Sequence, residues 1–232
     1  MSSAPAELPQ WGPTGTSLAQ TAYEAIKEKL ILLRIGPGEP ISETELADEL
    51  GAGRTPIREA LKRLEGDHLV VSYPRRGTFA AGVDIAELAA VTELRRALEP
   101  VAASAAAERA NAQQLDDLRA AIERIRSFVA EAPEDSAGDG GAAEAFLRLD
   151  TLVHHTIYQA CGNAHIADIL ARYHYLAMRI WALAAHRLPG IIEHAEDHIP
   201  LLEAIVDGQA DKAATMTVEH IDEFERSLRA MF

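Results

Sequence analysis

Apolar side chains return every third or fourth position along most of the chain, the period of one helix face. SLAQTAYEAIKEKLILLRI, from Ser17 to Ile35, sets Ala22, Ile26, Leu30 and Leu33 at that spacing, and Pro37-Gly38 stops it. ISETELADEL follows. Ser42 with Glu45 three residues later is a capping-box pattern that starts a short helix, with Ala47 and Leu50 facing inward. Gly51-Ala52-Gly53 breaks it within two turns. RTPIREALKRLEG predicts a third helix, with Thr55 as N-cap, Pro56 at the first helical position, and a stripe of Ile57, Ala60, Leu61 and Leu64. The pattern then changes: LVVSY (69–73) and TFAAG (78–82) predict two strands around the turn Pro74-Arg75-Arg76-Gly77. Three short helices and a hairpin make a winged helix-turn-helix over residues 18–82. Residues 1–17, rich in Pro, Gly, Ser and Thr, predict a flexible arm.

From Asp84 onward the helical period returns and holds. Asp84 with Glu87 caps the first long segment, which Pro100 should kink or split. Asn111 caps the second, and residues 131–142 form a loop. FLRLDTLVHHTIYQACGN lies in the third, ended by Gly162-Asn163. A fourth helix runs to about His186, a fifth spans about 191–207 and a sixth about 210–231. The chain is mainly α: a winged helix-turn-helix, then an antiparallel all-α bundle of about six helices over 83–232.

Charge sharpens this division. The net charge of −14 argues against nucleic-acid binding by the whole surface. Residues 18–82, however, are near neutral, and the acid lies almost entirely behind them. Between Arg54 and Arg76 bases outnumber acids. No apolar run reaches the roughly 18–20 residues of a membrane span, and the N-terminus lacks the basic start and apolar core of a secretory signal. Cys161 is the only cysteine, so no intrachain disulfide can form, which fits a reducing, cytoplasmic setting.

The third helix has the chemistry to enter a major groove. Arg58 and Lys62 lie opposite the apolar stripe, with Arg54 at the start. Arg54 and Arg58 can reach guanine O6/N7 or phosphate, and Thr55 at a helix N-terminus suits phosphate. Arg75 and Arg76 can lie along the backbone or minor groove. ISETELADELGAGRTPIREALKRLEGDHLVVSYPRRGTF resembles the DNA-binding domain of the GntR family of bacterial transcription regulators. The match runs through Glu43, Leu46-Ala47, Leu50, Arg54, Pro56, Arg58-Glu59-Ala60-Leu61, Leu64, Leu69-Val70 and Gly77. The resemblance implies that Arg54, Thr55, Arg58 and Gly77 contact double-stranded, pseudo-palindromic operator DNA as part of a homodimer. The family often has arginine where this chain has Thr44, and glycine where it has His68. A residue at that second place is expected to need positive φ.

Eight of the nine histidines follow residue 150. Asp150 and His154, one turn apart, offer two ligands from one helix, His194 and His198 offer another such pair, and His220 lies on the last helix. Spacing alone leaves these open as surface or core residues. ELRRALEPVAASAAAERA, LDTLVHHTIYQACGN, DHIPLLEAIVDGQADKA and MTVEHI resemble the C-terminal ligand-binding (FCD) domain of the FadR subfamily. That resemblance implies one divalent metal per chain on Asp150, His154, His198 and His220: Zn first, with Ni, Mn or Fe as alternatives. His154 takes the role rather than His155 because it precedes Asn163 by nine residues. Pro200 departs from the pattern and should kink the helix beside the site. Arg95 matches a position that pairs with an acidic effector; Arg172 and Arg179 are weaker candidates. His155, His165, His174, His186 and His194 are expected to be structural or exposed. The expected function is a repressor sensing a small organic acid, not an enzyme. A metalloenzyme acting on a small carboxylate and a DNA-binding protein with a purely structural metal are the alternatives.

Overall fold

A computed structural model describes residues 17–131, 140–184 and 191–231. The expected arm therefore lies almost wholly outside the described residues, as do most of the 131–142 loop and His186.

Helix α1 (Leu18–Ile31) is capped by Ser17, whose Oγ accepts the Gln20 amide. Strand β1 (Pro40–Ile41) follows, then α2 (Glu43–Glu49), with Ser42 Oγ accepting the Glu45 amide as the sequence suggests. Gly51, at φ +59°, makes the turn into α3 (Arg54–Gly66). The cap of α3 is Gly53 rather than Thr55. The helix starts earlier than expected because a proline is tolerated throughout the first turn, where amides lack helical acceptors, so Pro56 does not mark the first position. His68 has φ +60°, as its place after the recognition helix required. Strands β2 (Val70–Tyr73) and β3 (Gly77–Ala80) form the hairpin, and its turn uses Arg75 at φ +63° and Gly77 at φ +97°. β1 adds to β3 to give the antiparallel order β1-β3-β2, pairing Pro40 with Phe79 and Ile41 with Thr78. Two residues are too few to show an alternating pattern, so β1 was not legible.

Asp84 caps a 3-10 turn (Ile85–Glu87) that leads into α4 (Leu88–Arg109). Pro100 does not split α4; packing against α6, α7, α9 and α10 outweighs the one lost hydrogen bond. Helix α5 (Ala112–Glu131) opens with a reciprocal pair: Asn111 Oδ1 accepts the Gln114 amide, and Gln114 Oε1 accepts the Asn111 amide. Helix α6 (Gly140–Ala160) begins inside the expected loop. Gly162, at φ +71°, and Asn163, whose Oδ1 accepts the His165 and Ile166 amides, turn the chain into α7 (Ala164–Ala184). The segment near 191–207 is two helices, α8 (Ile191–Glu196) and α9 (His198–Val206). Pro200 has no amide hydrogen to offer the Glu196 carbonyl, so the helix is interrupted just before His198. Helix α10 (Ala210–Arg229) packs along α4.

Ile26, Leu30, Ile57, Leu64 and Leu69 fill the interior of the winged-helix part. In the bundle Trp181 stacks between Phe146, at 4.5 Å, and Phe224, at 6.1 Å. The two parts are joined chiefly through α6 and α7. Arg179 on α7 is fully buried; its Nε donates to the Leu30 carbonyl (3.2 Å) and a terminal nitrogen to the Ala81 carbonyl (2.6 Å). Ion pairs Arg148–Glu28 (2.6 Å), Arg34–Glu144 (2.5 Å) and Arg172–Asp67 (3.2 Å) also bridge the two parts. Arg172 and Arg179 thus engage the winged-helix part.

Candidate metal centre and nucleic-acid interface

The recognition surface follows from the period of α3. Ile57, Ala60, Leu61 and Leu64 are buried, which leaves Arg54, Thr55, Arg58 and Lys62 exposed. Arg58 Nε donates to Glu43 Oε2 at 2.7 Å, and Arg54 reaches Thr44 Oγ1 at 3.4 Å, so α2 steadies both guanidiniums. Arg63 faces elsewhere: it bonds Gln20 and covers the Tyr23 ring at 4.0 Å. Arg75, Arg76 and Gly77 are exposed at the wing tip, with Arg76 over the Tyr73 ring at 5.9 Å.

The second site lies inside the bundle. Asp150 and His154 project from α6, His198 from the first residue of α9, and His220 from α10. One ligand atom from each lies within 4.8 Å of every other. The first three are buried and His220 is half-buried, so it forms the solvent side. His198 Nδ1 is 3.0 Å from the His194 carbonyl, which can only accept, so Nδ1 is a donor and Nε2 is the atom that faces the site. His154 Nδ1 lies 3.5 Å from Glu99 Oε2 and 3.3 Å from the Tyr158 hydroxyl, itself donating to Glu99 at 2.8 Å. That partnership places the proton on Nδ1 and turns the Nε2 lone pair inward. The two Nε2 atoms are 3.4 Å apart, and His198 Nε2 is 3.3 Å from Asp150 Oδ1. Tetrahedral ligands about 2.1 Å from an ion lie about 3.4 Å from one another, so the residues fit a metal.

Electrostatics point the same way. Burial pushes the His154 and His220 imidazoles well below their ordinary range, against the pull of Asp150, so both stay neutral, the ligating form. Burial opposes ionisation of Asp150, but His154, His198 and His174 overcome it and hold the carboxyl well below its usual value.

Arg95 and Glu99 form a buried ion pair at 2.5 Å, one turn apart on α4. Desolvation works against the Arg95 charge, but Glu99 and Tyr158 hold its pKa above the ordinary value. Arg95 thus lies in the core beside the site, with a carboxylate of its own chain on its Nε. Sequence reading missed three neighbours. Glu99 and Tyr158 come from different helices, and His174 was expected to be structural or exposed. His174 is buried, 3.5 Å from Asp150 Oδ2.

An exposed basic helix with a wing, ahead of a helical domain with a largely buried three-His, one-Asp cluster, defines the class of winged-helix transcription regulators. The gntR family model of bacterial regulatory proteins matches residues 18–80, and the FCD domain model matches 90–223. The chain belongs to the GntR family and carries an FCD domain, a family of transcriptional regulators and not of enzymes. It is 31% identical over 189 residues to the Nta operon transcriptional regulator of Aminobacter aminovorans, covering 80% of this chain and 82% of that one. It is 27% identical to the probable D-xylose utilization operon transcriptional repressor of Paenarthrobacter nicotinovorans, over 90% of this chain and 87% of the relative. Among solved structures, E. coli McbR/YncC has the same fold, with a TM-score of 0.77 at 21% identity, covering 93% of this chain and 99% of that one. No helix among the described residues is long and apolar enough to cross a membrane.

Proposed function

We propose that the protein is a cytoplasmic, homodimeric repressor of the FadR subfamily whose operator affinity responds to a small organic acid at a metal site in the helical domain. The winged-helix domain is taken as residues 18–82 and the sensor domain as 83–232. One divalent ion, Zn first, would sit on Asp150, His154, His198 and His220. The observation that carries this reading is the convergence of His154 Nε2, His198 Nε2 and Asp150 Oδ1, 3.3–3.4 Å apart, with His220 closing the set. When bound, the ion would supply a Lewis-acidic centre with a place open to a carboxylate oxygen.

The chain's own residues do the rest. Glu99 and the His194 carbonyl fix the ring tautomers. Arg95 holds Glu99 and, as a planar donor with five N–H groups, can share itself with an effector carboxylate. Arg54, Thr55, Arg58 and Lys62 would contact the major groove and its phosphates, with Arg75, Arg76 and Gly77 on the flanking backbone. Two copies on one pseudo-palindrome would place two recognition helices a helical turn apart.

The test has two arms. Untagged protein reconstituted with Zn should hold about one ion per chain, and a His154→Ala/His198→Ala double variant should hold almost none. Chelation should lower the wild-type melting midpoint, because an ion bound only to the native state stabilises it. In the second arm, small organic acids are titrated into the metal-loaded protein on its operator. One of them should change operator affinity by roughly 5- to 150-fold, the ordinary range of such coupling, and Arg95→Ala should remove that response while sparing operator binding without effector. Metal binding with no acid shifting operator affinity would leave a structural metal instead.

A further inference from the structure

His174 on α7 is only 1% exposed, yet neither of its ring nitrogens has a hydrogen-bond partner. One other ionisable side chain at the site shares this state: Asp150 Oδ2 is buried and also without one. The two face each other, with His174 Nε2 3.5 Å from Oδ2. The His174 ring lies along His154, centroids 4.6 Å apart and planes 31° apart, which fixes its height beside α6. Buried unpaired polar atoms are costly, so two of them facing one another point to a contact that closes when the site is filled.

The other ligands show what that contact would do. His198 is held from behind by the His194 carbonyl, and His154 by Glu99 with Tyr158. Asp150 turns Oδ1 toward the ligand nitrogens and Oδ2 toward His174. A carboxylate oxygen can only accept, so a contact between Oδ2 and Nε2 needs the His174 proton on Nε2.

We propose that His174 is a positioning residue of the metal centre: its Nε2–H holds Asp150 Oδ2, so that the carboxylate offers the ion Oδ1 alone. This rests on the metal reading above. A carboxylate held by one oxygen takes one coordination place rather than two. The place it leaves is available to an effector oxygen. A ligand carboxylate without such a partner could swing to bind through both oxygens and close the site.

Full-length protein carrying His174→Phe keeps a ring against His154 but has no N–H, whereas His174→Gln restores an N–H at similar reach. Zn affinity is read by chelator competition, and geometry by the visible absorption of the Co(II)-substituted protein. His174→Phe should bind Zn about 10- to 100-fold more weakly, the usual effect of removing such a partner, with altered Co(II) bands. His174→Gln should recover most of the affinity and the wild-type bands. If His174→Phe does not fold, His174→Leu takes its place. Wild-type affinity and bands in the variant lacking the N–H would overturn the proposal. So would a glutamine variant as weak as the phenylalanine one when both keep the wild-type circular dichroism, because the ring's bulk would then be what matters. Wild-type protein that binds no Zn is a different failure: it removes the metal reading and this one with it.

Discussion

Arg58 keeps Glu43 in the free chain through a pair whose arginine is exposed and whose glutamate is half-buried. Such pairs contribute at most about 1 kcal/mol, so the guanidinium can exchange Glu43 for a base edge or phosphate at little cost. Arg58→Ala should therefore weaken specific operator binding by about 1–3 kcal/mol. Binding isotherms over a range of salt check this, and wild-type affinity at every salt would mean α3 is not the reading element. The buried imidazoles make a second prediction. In the unfolded chain they take up protons near pH 6.5. In the folded, metal-free chain His154, His174 and His220 resist protonation to well below that, about 3 for His174. Burial is the main cause in each case. Around His174, Asp150 on α6 opposes it, while Arg95 on α4, His198 on α9 and His155 on α6 reinforce it. Between these limits the unfolded chain binds more protons, so stability falls as pH drops. Asp150, held low, adds a loss of the same sign only below about pH 4. The melting midpoint of metal-free protein should fall steadily from about pH 6.5 downward; a flat profile between 7 and 5 would contradict neutral burial.

Single elements were legible where their signals are local. Ser42, Asn111 and the Gly162-Asn163 turn each act on residues within three positions, and each stands as its sequence suggests. The Asn111–Gln114 pair gives a direct measure: Asn111→Ala should cost about 1 kcal/mol, read as a lower urea midpoint with an unchanged slope. Asp150 and His154 were visible together because one turn of one helix joins them. Glu99, Tyr158 and His174 were not, because α4, α6 and α7 meet only through packing, which periodicity does not encode. Arg95 shows the same limit from another side. Its place near the site was legible from resemblance, but its partner Glu99, one turn along α4, was not read as such. The start of α3 was misplaced because Gly53 caps without a side chain and so leaves no mark.

At the scale of the molecule, α6 and α7 face two ways. Asp150, His154 and His174 point to the candidate metal centre, while Arg148, Arg172 and Arg179 hold the winged-helix part. Arg179→Met should leave the buried Ala81 carbonyl without its donor, while the Leu30 carbonyl keeps the Leu33 amide, a loss of about 1–3 kcal/mol. The melting midpoint should drop, and protease should cut sooner between residues 81 and 88. Unchanged stability and digestion would show that the ion pairs alone hold the two parts. Arg179 takes hold of carbonyl oxygens, which every amino acid presents in the same way. The latch is therefore indifferent to which side chains stand at positions 30 and 81, provided they pack. The exposed face of α3 and the interior of the bundle are then free to drift separately over evolutionary time. A winged-helix part grafted from a relative should keep the Arg179 latch whatever its sequence, and would need Glu28, Arg34 and Asp67 restored only for the ion pairs beside it.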